Sequence, residues 1–283
     1  MTSDNHNGFD PLLPVEMAHR AETVGETKAN LSALNLLLLS MLAGAFIALG
    51  GDFFIAVTTS TELGYGVTRL IGGLAFSLGL FLVVVAGGEL FTGNNLIVMA
   101  WASGRVSTLK LVRNWGIVYI GNLIGSLGTV LLVYFSGQWQ FNGYEVGANA
   151  LRVANHKVNL GFEEAIALGI LCNGLVCLAV WLCYSARSNT DKAISILFPI
   201  TAFVASGFEH GVANMFFVPL GLLLKEDDTV VETAGLTSDG LDNLTVIDFI
   251  ANNLVPVTLG NLIGGVVLVG AMYWLIYLRP AKT

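Results

Sequence analysis

Charge is scarce in this sequence. Asp, Glu, Lys and Arg make up 12% of 283 residues, hydrophobic types make up 54%, and the mean hydropathy is +0.73. Soluble domains carry about 25% charged residues, so the scarcity excludes an ordinary water-facing surface and makes lipid the solvent. Cations are scarcer still. Thirteen Lys and Arg against twenty Asp and Glu give a net charge of −7, which excludes nucleic acid as a partner because that partner demands concentrated positive charge. The three cysteines, Cys172, Cys177 and Cys183, share one apolar run. There they can form neither a disulfide framework nor a zinc signature, and they read as packing residues. The first thirty residues lack an apolar core, which argues against a secretory signal and leaves the first span as its own insertion signal. Four histidines, with His6 and His19 in the polar tail and no His-Glu-x-x-His motif, supply no three-ligand metal set, so no metal, no cofactor and no enzyme activity are expected. The paired Asn-Pro-Ala motif of aquaporin-type pores is also missing, which leaves a neutral-solute channel as the more distant alternative.

What the sequence does have is long apolar runs. Residues 31–51, 115–135 and 165–184 are uncharged stretches of 21, 21 and 20 residues, each long enough to cross a hydrocarbon core of about 30 Å. Residues 250–278 add 29 uncharged residues with Pro256 inside them, enough to span with tilt. Two further runs are too long. Between Arg69 and Arg105 lie 35 residues whose only charge is Glu89, and between Lys192 and Lys225 lie 32 whose only ionisable groups are Glu209 and His210. At about 1.5 Å per residue each would reach close to 50 Å as one helix. Their centres are Gly87-Gly88-Glu89 and Ser206-Gly207-Phe208-Glu209-His210-Gly211, so both are expected to be helices broken at mid-membrane. Non-helical backbone is tolerated at that depth only inside protein or along a cavity.

The chain also repeats. Asn114 and the pentapeptide Gly121-Asn122-Leu123-Ile124-Gly125 recur 139 residues later as Asn253 and Gly260-Asn261-Leu262-Ile263-Gly264. The broken runs correspond as well. The expected fold is an all-α integral membrane protein of six transmembrane helices in an inverted 3+3 repeat, with a site where the discontinuous helices meet. Cations divide nine to four if Arg20, Lys28, Arg105, Lys110, Arg113, Arg187, Lys192, Arg279 and Lys282 lie inside and Arg69, Arg152, Lys157 and Lys225 outside. The positive-inside rule then places both termini in the cytoplasm.

Three stretches carry a resemblance. Gly88-Glu89-Leu90-Phe91-Thr92-Gly93, Cys172-Asn173-Gly174-Leu175 with its continuation to Trp181, and Gly207-Phe208-Glu209-His210-Gly211 with its continuation to Met215 resemble the signatures of the formate/nitrite transporter family. The likeness runs from about Phe9 to Leu278 and is nearest to the FocA-type formate channels. It implies an aquaporin-like fold assembled as a homopentamer with one pore per protomer. It also implies a central histidine and threonine, here His210 and Thr92, apolar constrictions at Leu80, Phe76, Phe203 and Leu90, a lysine above the outer constriction at Lys157, and pore amides at Asn173 and Asn214. Formate is the first substrate so implied. Gly93-Asn94 after Thr92 resembles the nitrite-type branch, so nitrite or hydrosulfide remains the alternative within the family. Residues 1–28 then form a cytoplasmic amphipathic segment and 29–283 one transmembrane channel domain, with halves near 29–140 and 160–279. The short loops suit a bacterial cytoplasmic (inner) membrane.

The residues carry chemistry of their own. An ionisable side chain at mid-membrane is costly and usually functional, and His210 can hand a proton to an anion or present a cation to it. The alternative is a neutral buried histidine. Glu209 and Glu89 would accept hydrogen bonds from backbone N–H groups freed at the breaks, with direct substrate contact by Glu209 the lesser reading. Lys157 sits in the outer connection, where a cation draws anions. A bare anion pays a large desolvation cost in an apolar ring and a neutral acid far less. The small monovalent anion is therefore expected to take a proton near the gate or from His210 and cross as the acid; a channel using His210 as a fixed charge is the rival. Leu13, Met17, Ala21 and Val24 form an N-terminal apolar stripe, read as a pH-sensitive plug with His19 as sensor or as a membrane-surface anchor.

Overall fold

A computed structural model describes residues 10–279, and all of their regular structure is helical. His6, Phe9 and Lys282 lie outside the described residues. In order the elements are α1 (Pro14–Ala29), α2 (Ala33–Thr58), α3 (Gly64–Leu82), α4 (Ile97–Ala102), α5 (Thr108–Ser136), α6 (Glu145–Val158), α7 (Phe162–Ser185), α8 (Asn189–Ala205), α9 (Gly211–Leu224), α10 (Asp228–Thr233), α11 (Val246–Asp248), α12 (Val255–Leu262) and α13 (Met272–Tyr277). Five helical stretches are long and apolar enough to cross a membrane: Ala33–Thr58, Gly64–Gly87, Thr108–Ser136, Phe162–Ser185 and Asp239–Tyr277. The last is not a plain helix. Phe249–Leu254 and Ile263–Ala271 are π-helical, a widening that an uncharged run does not betray.

Both overlong runs are broken. The first continues from α3 through a π-turn, Val83–Gly87, then turns at Gly87 (φ +100°) into the extended Gly88 before a 3-10 turn, Gly93–Leu96, leads into α4. The second stops at Ala205, turns at Gly207 (φ +79°) and restarts as α9. Both glycines hold a left-handed conformation that a Cβ would strain. The two breaks are not equal. α8 has 17 residues and α9 has 14, whereas Gly64–Gly87 is 24 residues long and α4 only 6.

Helix packing explains the repeated pentapeptide. α2 packs on α5, and α7 on α12. A Cβ on Gly125 would overlap the Met41 carbonyl, and one on Gly264 the Ile170 carbonyl. Small residues let backbones approach this closely where lipid supplies no hydrophobic drive between helices. α2 turns its other face outward, with Leu34, Leu38 and Leu42 exposed, and Leu132, Phe135 and Phe198 are similarly bare. That is an apolar exterior suited to lipid or a second protomer.

Candidate functional site

The third-span asparagines of the repeat hold the breaks together. Asn122 Oδ1 accepts from Phe91 N–H at 2.9 Å while its Nδ2 donates to the carbonyls of Ser40 and Glu89. Asn261 does the same for Gly211 N–H at 2.9 Å and the carbonyls of Gly169 and Glu209. Backbone groups released by each break are thereby satisfied inside the protein, as burial demands.

Beside each break stands a quartet of lysine, glutamate and two asparagines. Lys157 Nζ donates to Glu209 Oε1 at 2.8 Å, and Asn214 Nδ2 to Glu209 Oε2 at 2.7 Å and to Asn253 Oδ1 at 2.7 Å. Asn253 Nδ2 closes the ring on the Lys157 carbonyl. In the other quartet Lys28 Nζ donates to Glu89 Oε1 at 2.8 Å, and Asn94 Nδ2 to Glu89 Oε2 and to Asn114 Oδ1. Asn114 Nδ2 reaches the Lys28 carbonyl. One difference separates them. Lys28 also donates to Asn94 Oδ1 at 3.1 Å, whereas Asn214 Oδ1 is buried and has no hydrogen-bond partner among the described residues. Its orientation is fixed, because the Glu209 and Asn253 oxygens both require the amide N–H groups.

Between the quartets, Thr92 Oγ1 lies 3.0 Å from His210 Nε2, and both side chains are buried. His210 is the N-cap of α9, and its Nδ1 accepts from Ala213 N–H at 3.1 Å. A backbone N–H can only donate, so Nδ1 is bare and the neutral ring carries its proton on Nε2. Nε2–H then donates to Thr92 Oγ1, which frees the Thr92 hydroxyl proton for another acceptor. The imidazole lies nearly parallel to Phe203, centroids 6.0 Å apart, and Phe203 meets Phe76 edge-on at 5.7 Å.

Two cavities border the quartets. One, of about 520 Å³, is lined by Phe76, Phe203, Lys157, Glu209, His210 and Asn214 among others. The second, of about 370 Å³, is lined by Arg20, Lys28, Leu80, Glu89, Leu90 and Lys192 among others. Each is lined by the lysine, the glutamate and one asparagine of its quartet together with apolar side chains, and His210 borders the first.

Residues 15–275 match the family model described as formate/nitrite transporter. The chain belongs to the formate/nitrite transporter family. It is 48% identical over 276 residues to the formate channel FocA of Escherichia coli strain K12, covering 96% of this chain and 97% of that one. It is 42% identical over 262 residues to the formate channel FocA of Haemophilus influenzae, covering 92% of each. A solved structure described as a pentameric formate channel with formate bound superposes with a TM-score of 0.81 at 48% identity, covering 87% of this chain and 98% of that one.

Within this family member, His210, Asn214, Lys157 and Glu209 border one cavity and Thr92 meets His210, while of the residues expected as constrictions Phe76 and Phe203 line that cavity and Leu80 and Leu90 the other. Asn173 lines neither cavity. Its Nδ2 donates to Asn95 Oδ1 and the Asn261 carbonyl, both at 2.7 Å. Several expectations are corrected. Glu209 and Glu89 accept from lysine and asparagine side chains, because the asparagines of the third spans already satisfy the freed backbone. Lys157 lies on helix α6, its side chain 12% exposed, not in a solvated connection. The three cysteines are buried among apolar side chains, as read from the sequence, and Cys183 also borders the Lys28 cavity. Asn94 is absorbed into its quartet, while Gly93 borders the Lys28 cavity. The buried stripe of α1 is Met17, Ala18, Ala21, Glu22 and Gly25, against Val98, Met99 and Trp181, while Arg20, Val24 and Lys28 border the cavity. The functional residue sequence reasoning missed is Lys28, counted only as an inside charge. Its one signal was the three-residue spacing to Leu31, which matches that from Lys157 to Leu160 at the start of the other half.

Proposed function

We propose that the protein is a homopentameric channel for formate, in which the anion gathers at Lys157 or Lys28 and crosses the apolar centre as formic acid. The observation that carries this reading is the buried Thr92–His210 contact of 3.0 Å, accompanied by two cation-bearing cavities with apolar side chains in their walls. The printed descriptions of the relatives support substrate and assembly, since those proteins are formate channels and one is pentameric with formate bound.

A carboxylate stripped of water between Phe76 and Phe203 would be severely destabilised, while the neutral acid loses only hydrogen bonds. Formate therefore takes a proton from hydronium in the first cavity, leaving water, and the acid O–H returns that proton to water in the second cavity, so one proton travels with each formate and no net charge moves. His210 does not supply that proton. With Nδ1 occupied by Ala213 N–H, loss of the Nε2 proton would leave an imidazolate, and a second proton on Nδ1 would forfeit the cap. The ring acts through Thr92, whose hydroxyl donates to the passing acid's oxygen. Asn214 Oδ1 offers the complementary acceptor for an acid O–H or water beside Lys157.

The paired quartets, paired asparagine braces and paired glycine breaks support an aquaporin-like inverted repeat of six spans, with α3–α4 and α8–α9 as the two broken ones. We assign both termini to the cytoplasm of a bacterial inner membrane, the Lys157 cavity to the outer face and the Lys28 cavity to the inner one. Residues 29–283 form the channel domain, with halves near 29–140 and 160–279. Arg20 and Lys28 of α1 contribute a side wall to the inner cavity. Formate flux into proteoliposomes, with membrane potential clamped and the pH gradient set in either direction, tests the reading. Flux should follow the proton gradient and carry no current. No flux above empty liposomes would overturn it.

A further inference from the structure

The two cavities share their quartet plan but not their walls. Six aromatic rings, Phe54, Tyr65, Phe76, Phe203, Phe208 and Phe217, border the Lys157 cavity. The Lys28 cavity has one ring, Tyr184, and its apolar wall is aliphatic, with Leu39, Val83, Val84 and Val180 beside the charged Arg20, Lys28, Glu89 and Lys192. The Lys157 cavity is also the larger, at about 520 against about 370 Å³, and far exceeds what a three-heavy-atom anion needs. Sites of that volume typically take molecules of ring size or more.

Two of its three Lys and Arg side chains stand at the rings, while Arg152 pairs with Glu145. Lys157 Nζ is 5.3 Å from the Phe217 centroid, and the Arg69 guanidinium 5.7 Å from that of Phe54. Arg69 is locked in place, donating through Nε to the Ala205 carbonyl at 3.3 Å and also to that of Val204. Lys157 has one hydrogen-bond acceptor among the described residues, Glu209, whereas Lys28 has two. Ammonium N–H groups beside aromatic faces suit a ligand with one anionic head and one flat apolar body.

We propose that the Lys157 cavity is a binding site for aromatic monoanions, a planar ring carrying one carboxylate or sulfonate, which enter the cavity and are held there. The head group meets Lys157 and Arg69, the ring stacks among the phenylalanines, and Phe76 against Phe203 stops passage. The inference uses the channel reading only where it expects block of flux; the binding stands apart from it.

The probe is benzenesulfonate, permanently charged and unable to cross lipid as a neutral acid, measured by equilibrium dialysis against the purified protein. Cyclohexanesulfonate matches its bulk without the π-face, and methanesulfonate keeps only the head. Benzenesulfonate should bind about tenfold more tightly than either. Tyr65→Ala, at the exposed rim, should weaken it about five- to tenfold, and Val180→Ala in the other cavity should leave it alone. Equal binding of the three sulfonates overturns the proposal, as does loss with Val180→Ala in place of Tyr65→Ala. If benzenesulfonate binds as stated but formate does not cross, the channel reading fails and the site survives.

Discussion

Replacing Glu209 with Gln should convert a compensated lysine into a trap for anions. In the native protein the side chains of Lys157 and Glu209 are 12% and 5% exposed and 2.8 Å apart, so water screens the pair little. Glutamine keeps the shape but has one oxygen where two donors, Lys157 Nζ and Asn214 Nδ2, now find acceptors. One donor loses its partner and the ammonium loses its counter-charge. Removing one member of a buried ion pair costs about 3–5 kcal/mol, which by itself would lower the melting temperature of detergent-solubilised protein by several degrees. An anion bound at Lys157 would restore the balance, and a ligand at a hundred times its Kd contributes about 2.7 kcal/mol. The assay is thermal unfolding of wild type and Glu209→Gln with and without formate. The variant should be destabilised, regain most of the loss in formate, and carry formate more slowly because the anion is held. A variant with wild-type stability and no response to formate would refute the idea that Glu209 holds the Lys157 charge.

Other outcomes follow from the same geometry. Thr92→Val removes the hydroxyl beside His210 at nearly constant volume, and formate flux should fall about tenfold, the worth of one hydrogen bond of roughly 1–1.5 kcal/mol, with stability lowered by about 1–3 kcal/mol because the buried His210 Nε2–H loses its acceptor. Gly264→Ala puts a methyl against the Ile170 carbonyl and should destabilise by about 1–3 kcal/mol, read as lower yield of folded protein; Gly174→Ala, where a Cβ meets open space, is the control and should be mild. Lys28→Met leaves Glu89 unpaired and should mirror the Glu209→Gln stability loss, but with no rescue by formate, because the remaining charge is negative.

The breaks were legible because their runs exceed a membrane thickness, a matter of counting, and because Gly87 and Gly207 stand in them. The repeat was legible through Asn114, Asn253 and the two pentapeptides, whose glycines must pack against carbonyls and whose asparagines must brace the freed backbone. Lys28 was not, because it lies 61 residues from Glu89 and its charge fits the inside-loop pattern equally well. Asn173 resembled a pore amide, yet sequence carries no sign of which way a helix face turns within a bundle. The π-helical stretches of the last span were hidden too, since apolar composition is indifferent to whether bonds close at four or five residues.

The tautomer of His210 bears the most weight, and one experiment addresses it directly: formate flux and current in proteoliposomes for wild type and His210→Asn, under pH gradients of both signs. Asparagine preserves the α9 N-cap but loses the link to Thr92. The account predicts slower flux, by about tenfold for the lost hydrogen bond, still driven by the proton gradient and still without current. A His210→Asn channel that passes formate as a current, indifferent to the proton gradient, would show that His210 itself supplies the proton and would contradict the account.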